Sequence, residues 1–185
     1  MTTTADIRKG FTFEYEGKVY MVIDFQHVKP GKGGAFVRTK LRNLENGNVI
    51  DLTFDSGKVL NEVKLERENF QYLYKDGDDY VFMNNETFEQ ISLNEEILMD
   101  KRFYLKENMD VTLLSVNGQV IDIEVPIFVE LEIVETEPGV RGNTVSGGSK
   151  PAVCDTGLKV VVPLFLNVGD KIKIDTRTGI YVERV

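Results

Sequence analysis

One cysteine, one histidine and no tryptophan occur among 185 residues. A lone thiol excludes an internal disulfide and fits a reducing compartment. Cys154 and His27 cannot supply the ligands of a zinc site, and their spacing suggests no cysteine–histidine nucleophile pair. His27 falls in a strand-like stretch and is read as a structural residue. No apolar run approaches the roughly 20 residues that span a bilayer. The opening Met1-Thr2-Thr3-Thr4-Ala5-Asp6 lacks the apolar core of a signal peptide. The expected location is therefore cytoplasmic, with no membrane partner. Excess positive charge is missing too: 22 Lys and Arg against 30 Asp and Glu leave a net charge of −8. That argues against a general nucleic-acid coat, which needs cations to displace counterions from phosphate. Gly31-Lys32-Gly33 is not a P-loop, because the remaining glycine, the Ser/Thr and the following helix are absent. Gly139-Val140-Arg141-Gly142 has the spacing of a KH-domain loop without its flanking helices. No pair of carboxylates falls in an apolar setting. The expectation is a protein with no metal, no cofactor and no catalytic residue, and hence not an enzyme.

What is present is a local reversal of charge. From Phe25 to Leu44 there are five basic residues and no acidic one. These are Lys29, Lys32, Arg38, Lys40 and Arg42; the rest of the chain carries 17 basic and 30 acidic residues, or −13. A basic patch on an acidic body can seek one anionic site without clinging to every polyanion. The dominant hydrophobic period is two, the signature of half-buried strands. Lys18 to Val28 and Ala35 to Leu44 read as a hairpin, with Arg38, Lys40 and Arg42 on one face and Val37, Thr39 and Leu41 on the other. Phe11 to Tyr15 and Val49 to Phe54 complete a first group, the latter after an Asn46-Gly47 turn.

A second group comprises Phe70 to Tyr74, Tyr80 to Met83, Thr87 to Ile91, Val111 to Val116 and Val120 to Val125. Between its third and fourth strands, Ser92 and Glu95 fit a capping box for one short helix that Lys101 and Arg102 would end. After Pro126 come Phe128 to Val134, a Gly-rich loop from Gly139 to Gly148, Val160 to Leu166, and a hairpin from Lys171 to Val185. Short strands at even spacing predict an all-β chain of consecutive small barrels, divided as 1–64, 65–126 and 127–185. The three segments carry net charges of +2, −9 and −1, so contacts with polyanions are expected from the two ends.

The most informative stretch is Lys29-Pro30-Gly31-Lys32-Gly33-Gly34, at the tip of the first hairpin. Glycines permit close backbone approach and Pro30 stiffens the loop. Three readings of Lys32 stand on these residues: a solvated turn lysine, the attachment point of a carrier protein's prosthetic group, or a probe entering a nucleic-acid cavity. The flanks lack the Met-Lys-Met or Asp-Lys-Ala context of lipoyl and biotinyl carriers. In the third reading Lys29, Arg38, Lys40 and Arg42 would grip phosphates behind the tip. Arg141-Gly142-Asn143-Thr144, with Lys150 just beyond, supplies a cation, short polar side chains and free amides suited to sugar and phosphate, and equally fits a long surface loop with no partner.

Four motifs in order carry a family resemblance. They are Lys29-Pro-Gly-Lys-Gly-Gly-Ala-Phe36 with Lys40-Leu-Arg-Asn-Leu44; Tyr80-Val-Phe-Met83 with Thr87-Phe-Glu-Gln90; Gly139-Val-Arg-Gly-Asn-Thr144 with Gly147-Gly-Ser-Lys-Pro-Ala152 and Val162-Pro-Leu-Phe165; and Gly169-Asp170 with Asp175-Thr176 and Gly179-Ile-Tyr-Val-Glu-Arg184. Over essentially its whole length the chain resembles the bacterial elongation factor P family. The resemblance implies a KOW/SH3-like barrel followed by two OB-folds in an L shape similar to tRNA. It implies a monomer that binds the 70S ribosome beside peptidyl-tRNA, contacting tRNA and rRNA. Its tip lysine, here Lys32, would be lengthened by a lysine-modifying enzyme and lie along the CCA end, relieving stalling at consecutive prolines. A third-domain loop would reach the small subunit near the exit-site codon; the family's Gly-Asp-Thr reads Gly142-Asn143-Thr144 here. Asn143 keeps hydrogen-bonding capacity and loses the charge.

Overall fold

Strand alternation in the first 60 residues produces the sheet that carries the Lys32 loop. The computed structural model describes residues 1–139 and 148–185, which group into two units: Met1–Glu68 with Leu113–Asp122, and Asn69–Thr112 with Ile123–Val185. The first unit contains β1 (Thr12–Tyr15), β2 (Lys18–Val28), β3 (Phe36–Asn43), β4 (Val49–Asp55) and β5 (Asn61–Glu62), in sheet order β4-β3-β2-β1-β5. Its neighbouring strands pair antiparallel. Val37, Thr39, Leu41 and Asn43 of β3 are buried, and the intervening cations are exposed, as period two requires. The buried face packs on Phe11, Phe13, Val22 and Phe54; the rings of Phe13 and Phe54 meet edge-on at 5.9 Å. Burying several such rings supplies the apolar area that a small barrel needs. The N-terminal segment adds a feature the sequence reading missed. Thr3 and Asp6 form a capping box on a 3-10 turn over Thr4–Asp6, and buried Thr4 accepts from the Gly57 amide at 2.7 Å.

A second five-stranded sheet has the order β10-β9-β6-β7-β8, from β6 (Leu65–Asp76), β7 (Asp79–Asn84), β8 (Gln90–Leu93), β9 (Asp110–Val116) and β10 (Gln119–Glu124). The short helix α1 (Glu95–Leu98) follows β8, then a 3-10 segment over Met99–Tyr104. The capping box expected on Ser92 does not form. Ser92 pairs with Val81 in the β7–β8 ladder, so the cap falls to Asn94, whose Oδ1 accepts from the Ile97 amide at 3.1 Å. The same displacement moves β8 from the expected Thr87–Ile91 to Gln90–Leu93.

The third sheet has the order β13-β12-β11-β14-β15 and is built from β11 (Phe128–Thr136), β12 (Ser149–Cys154), β13 (Lys159–Pro163), β14 (Lys171–Asp175) and β15 (Ile180–Arg184). The sequence reading assigned no strand between Gly148 and Val160, and Pro151 is a residue that sheet interiors disfavour. Yet β12 is an interior strand, paired with β11 and β13. The Pro151 carbonyl accepts from Thr136 Oγ1 at 2.9 Å, so the ring removes one donor and leaves the acceptor satisfied. This sheet's core of Val129, Leu131, Ile133, Val160, Ile172 and Ile174 also takes in Tyr104 from the 3-10 segment. Thr156 Oγ1 donates to the Phe103 carbonyl at 2.5 Å, and Lys106 pairs with Asp155 at 3.1 Å. The 3-10 segment after α1 is thus fixed to the third sheet by buried aromatic packing. The result is a mostly β fold of curled sheets.

Candidate functional site

The β2–β3 ladder ends where Val28 faces Phe36, and residues 29–35 form the loop beyond it. Lys29, Pro30, Gly31, Lys32, Gly33 and Gly34 are all exposed. Gly33 has φ +103°, a conformation that L-residues avoid. The sequence therefore spends a glycine where the chain reverses, one residue after Lys32, and the amine extends from a tip with no packed neighbours to restrain it.

Behind the tip lies the outer face of β2, β3 and β4, which presents Arg38, Lys40 and Arg42. Each has defined cross-strand neighbours. Arg38 lies between Gln26 and Thr53, Lys40 between Asp24 and Asp51, and Arg42 between Met21 and Val49. A β-bulge between Val22 and Asp24 sets this register, since without the extra residue the β2 side chains would face inward where they now face out. The Arg38 and Lys40 positions form a shallow groove of about 440 Å³ lined by Asp24, Gln26, Arg38, Lys40, Asp51 and Thr53. Asp24 is hydrogen-bonded to Lys9, whose amine lies 3.2 Å away. That bond and the Lys9 charge, with a smaller contribution from Lys40, hold the Asp24 carboxyl below its ordinary range, so it is ionised at neutral pH. The Arg38 guanidinium lies 5.5 Å from the Phe36 ring centre on the same face, a stacking contact that helps hold its plane.

The structure thus differentiates three cations that the sequence presents as equivalent. Arg38 has neutral hydrogen-bonding neighbours, whereas Lys40 is bracketed by carboxylates. Asp24 and Asp51 went unrecognised because both lie outside the acid-free Phe25–Leu44 stretch; only cross-strand register brings them alongside it. Arg141, Gly142, Asn143 and Thr144 lie outside the described residues. Lys150, read as a further cation beside that loop, is buried, and its Nζ donates to the Glu137 carbonyl at 2.5 Å; a buried amine held by a backbone carbonyl is not an open phosphate contact. Exposed His27 stacks edge-on with Phe25 at 5.6 Å. Among the described residues, no group of three or more His, Cys, Asp or Glu could hold a metal ion, and no helix is long and apolar enough to cross a membrane.

Three family models match in sequence order. Residues 3–60 match the elongation factor P KOW-like domain, 65–123 the elongation factor P OB domain, and 129–184 the elongation factor P C-terminal domain. Among characterised relatives, the elongation factor P of Caldanaerobacter subterraneus is 55% identical over 185 residues, covering all of both chains. That of Thermoanaerobacter sp. is 56% identical with the same coverage. Among solved structures, a eukaryotic translation initiation factor 5A from Methanococcus jannaschii superposes with a TM-score of 0.52 at 19% identity, over 66% of this chain and 94% of that one. At that identity the likeness concerns the fold alone.

Proposed function

Since this chain belongs to the elongation factor P family of translation factors, we propose that it binds the 70S ribosome beside peptidyl-tRNA and promotes peptide bond formation at consecutive prolines. The observation that carries this reading is the position of Lys32. It stands alone at the tip of an exposed glycine loop, at the end of a hairpin whose outer face presents Arg38, Lys40 and Arg42. Such a loop can enter a narrow channel while the face behind it stays on an RNA backbone.

Proline's nitrogen is a hindered secondary amine on a rigid ring, and it attacks poorly when the peptidyl ester is badly placed. A factor that holds the CCA end in an attack-ready pose acts by orientation, an effect worth up to roughly 7–11 kcal/mol in favourable cases. This role asks for no acid, base or nucleophile from the protein. An extension of Lys32 by a modifying enzyme would lengthen the reach of the amine without altering the fold, because the side chain packs against nothing. Arg38 serves as the principal phosphate contact, with Gln26 and Thr53 as neutral hydrogen-bonding partners. Lys29 and Arg42 add weaker contacts. Arg141, Gly142, Asn143 and Thr144 are assigned to the small-subunit side.

The test is reconstituted translation of a triproline template against a proline-free one. Lys32→Ala should leave the melting temperature unchanged and abolish the stimulation confined to triproline. Full stimulation by that variant would refute the assignment. Intact mass of the protein from its host separates this role from that of a carrier: a lipoyl or biotinyl adduct on Lys32 would favour the carrier.

A further inference from the structure

The Thr87-Phe88-Glu89-Gln90 motif takes no part in the site above, yet it contains an unusual residue of the described chain. The β7–β8 connection is a turn built on Asn84. Its Oδ1 accepts from the amides of Glu86 at 2.8 Å and Thr87 at 3.1 Å, and its carbonyl accepts from the Phe88 amide at 2.9 Å. The β3–β4 connection repeats this pattern on Asn43. There Oδ1 accepts from Glu45 at 2.8 Å and Asn46 at 3.2 Å, and the carbonyl accepts from the Gly47 amide at 2.8 Å. The fourth loop position is left-handed in both turns, with φ +73° at Gly47 and +61° at Phe88. One turn meets that demand with glycine; the other places a phenylalanine there.

Phe88 gains no burial in exchange. It is 69% exposed, and no ring pair or cation–π contact among the described residues includes it. A bulky residue held in the left-handed region and left in water is doubly unfavourable for folding. An outlier of this kind points to a role in function. Its surroundings select the partner. Glu86 and Glu89 flank it and are exposed, and the 85–89 loop contains no lysine or arginine. Such a surface repels phosphate. An aromatic protruding from a carboxylate rim suits a basic protein surface with an apolar pocket, where the ring is desolvated and the rim charges steer approach.

We infer that the 85–89 loop is a docking element for a basic protein surface on the ribosome, with Phe88 as its anchor. The inference rests on the ribosome-binding reading above. It is tested with the full chain carrying p-benzoylphenylalanine at position 88, irradiated with purified ribosomes that hold peptidyl-tRNA. The expected product is a crosslink to a basic ribosomal protein. A crosslink to RNA would overturn the inference, as would no crosslink when the same probe at position 32 reacts. In parallel, Phe88→Gly should bind ribosomes about tenfold more weakly while its melting temperature stays level or rises, because the strain is relieved. Phe88→Trp should keep most of the affinity. Wild-type protein that fails to bind ribosomes would sink the proposed function itself. Wild-type protein that binds and responds to Lys32→Ala, with Phe88→Gly indistinguishable from it, would sink only the role of Phe88.

Discussion

Lys40 and Asp51 face each other directly across the β3–β4 ladder, with Asp24 opposite Lys40 on the other side. The middle cation of the basic row therefore has a carboxylate in register on each side. Arg38, two residues nearer the Lys32 loop, has no such neighbour in register. A chain that presents three alternating cations folds into a face on which their cross-strand neighbours differ.

The first prediction concerns this face. Arg38→Ala should lower the slope of log affinity against log salt by about one for ribosome binding, the loss of one phosphate contact. Lys40→Ala should change the slope much less. Asp51→Asn should tighten binding by roughly two- to fivefold, the scale of an exposed ion pair of 0.2–1 kcal/mol. Equal effects of Arg38→Ala and Lys40→Ala would show that the flanking carboxylates do not matter.

A second prediction separates two glycines of the tip. An added Cβ meets open space at both Gly33 and Gly34, and only Gly33 lies in the left-handed region. Gly33→Ala should destabilise the protein by about 1 kcal/mol and reduce triproline synthesis. Gly34→Ala should be neutral in urea unfolding. Matching losses in the two variants would contradict the assigned backbone.

Tyr104 supplies the third. Its ring is 8% exposed and packs within the third sheet's core. Tyr104→Ala should cost about 3–5 kcal/mol by leaving a cavity, whereas Tyr104→Phe keeps the packing and should cost far less. Denaturant midpoints would decide; a mild loss in the alanine variant would mean that the ring contributes little to fixing the 3-10 segment on the third sheet.

The fourth is a dependence on pH. Burial, aided by Asp155, pushes the Cys154 thiol up to about 11 from an ordinary value near 9.0. The folded state thus holds this proton more tightly than the unfolded state does. The stabilisation is complete below pH 9 and is lost as pH rises from 9 toward 11. Burial likewise raises Tyr72 to about 12 from 10.0, extending the loss to higher pH. Thermal midpoints should fall between pH 8.5 and about 10.5, less so in Cys154→Ala. Native Cys154 should also resist iodoacetamide until the protein unfolds, since the thiolate is the reactive form.

Much of the first sheet could be read directly from the chain. Period two set both faces of β3, and Asn46-Gly47 marked its turn, because side-chain direction in a strand follows from backbone geometry alone. β12 was hidden: Pro151 weakens the local strand signal, and the strand exists because β11 and β13 flank it. The helix start moved from Ser92 to Asn94 for a similar reason. A capping box is a local preference, and a ladder partner at Val81 outweighs it.

The sequence by itself determined that this chain is a succession of small β units, that Lys32 stands at a glycine-rich tip with cations behind it, and to which family the motifs point. These are properties of single residues and short spacings, set by local sterics and charge. Only the tertiary structure decided that Asp24 and Asp51 fence Lys40, that Lys150 is buried, that Tyr104 belongs to the third sheet's core, and that Phe88 occupies the position Gly47 holds elsewhere. Each of those facts depends on register or packing between residues distant in sequence, and a bulge of one residue would rewrite it.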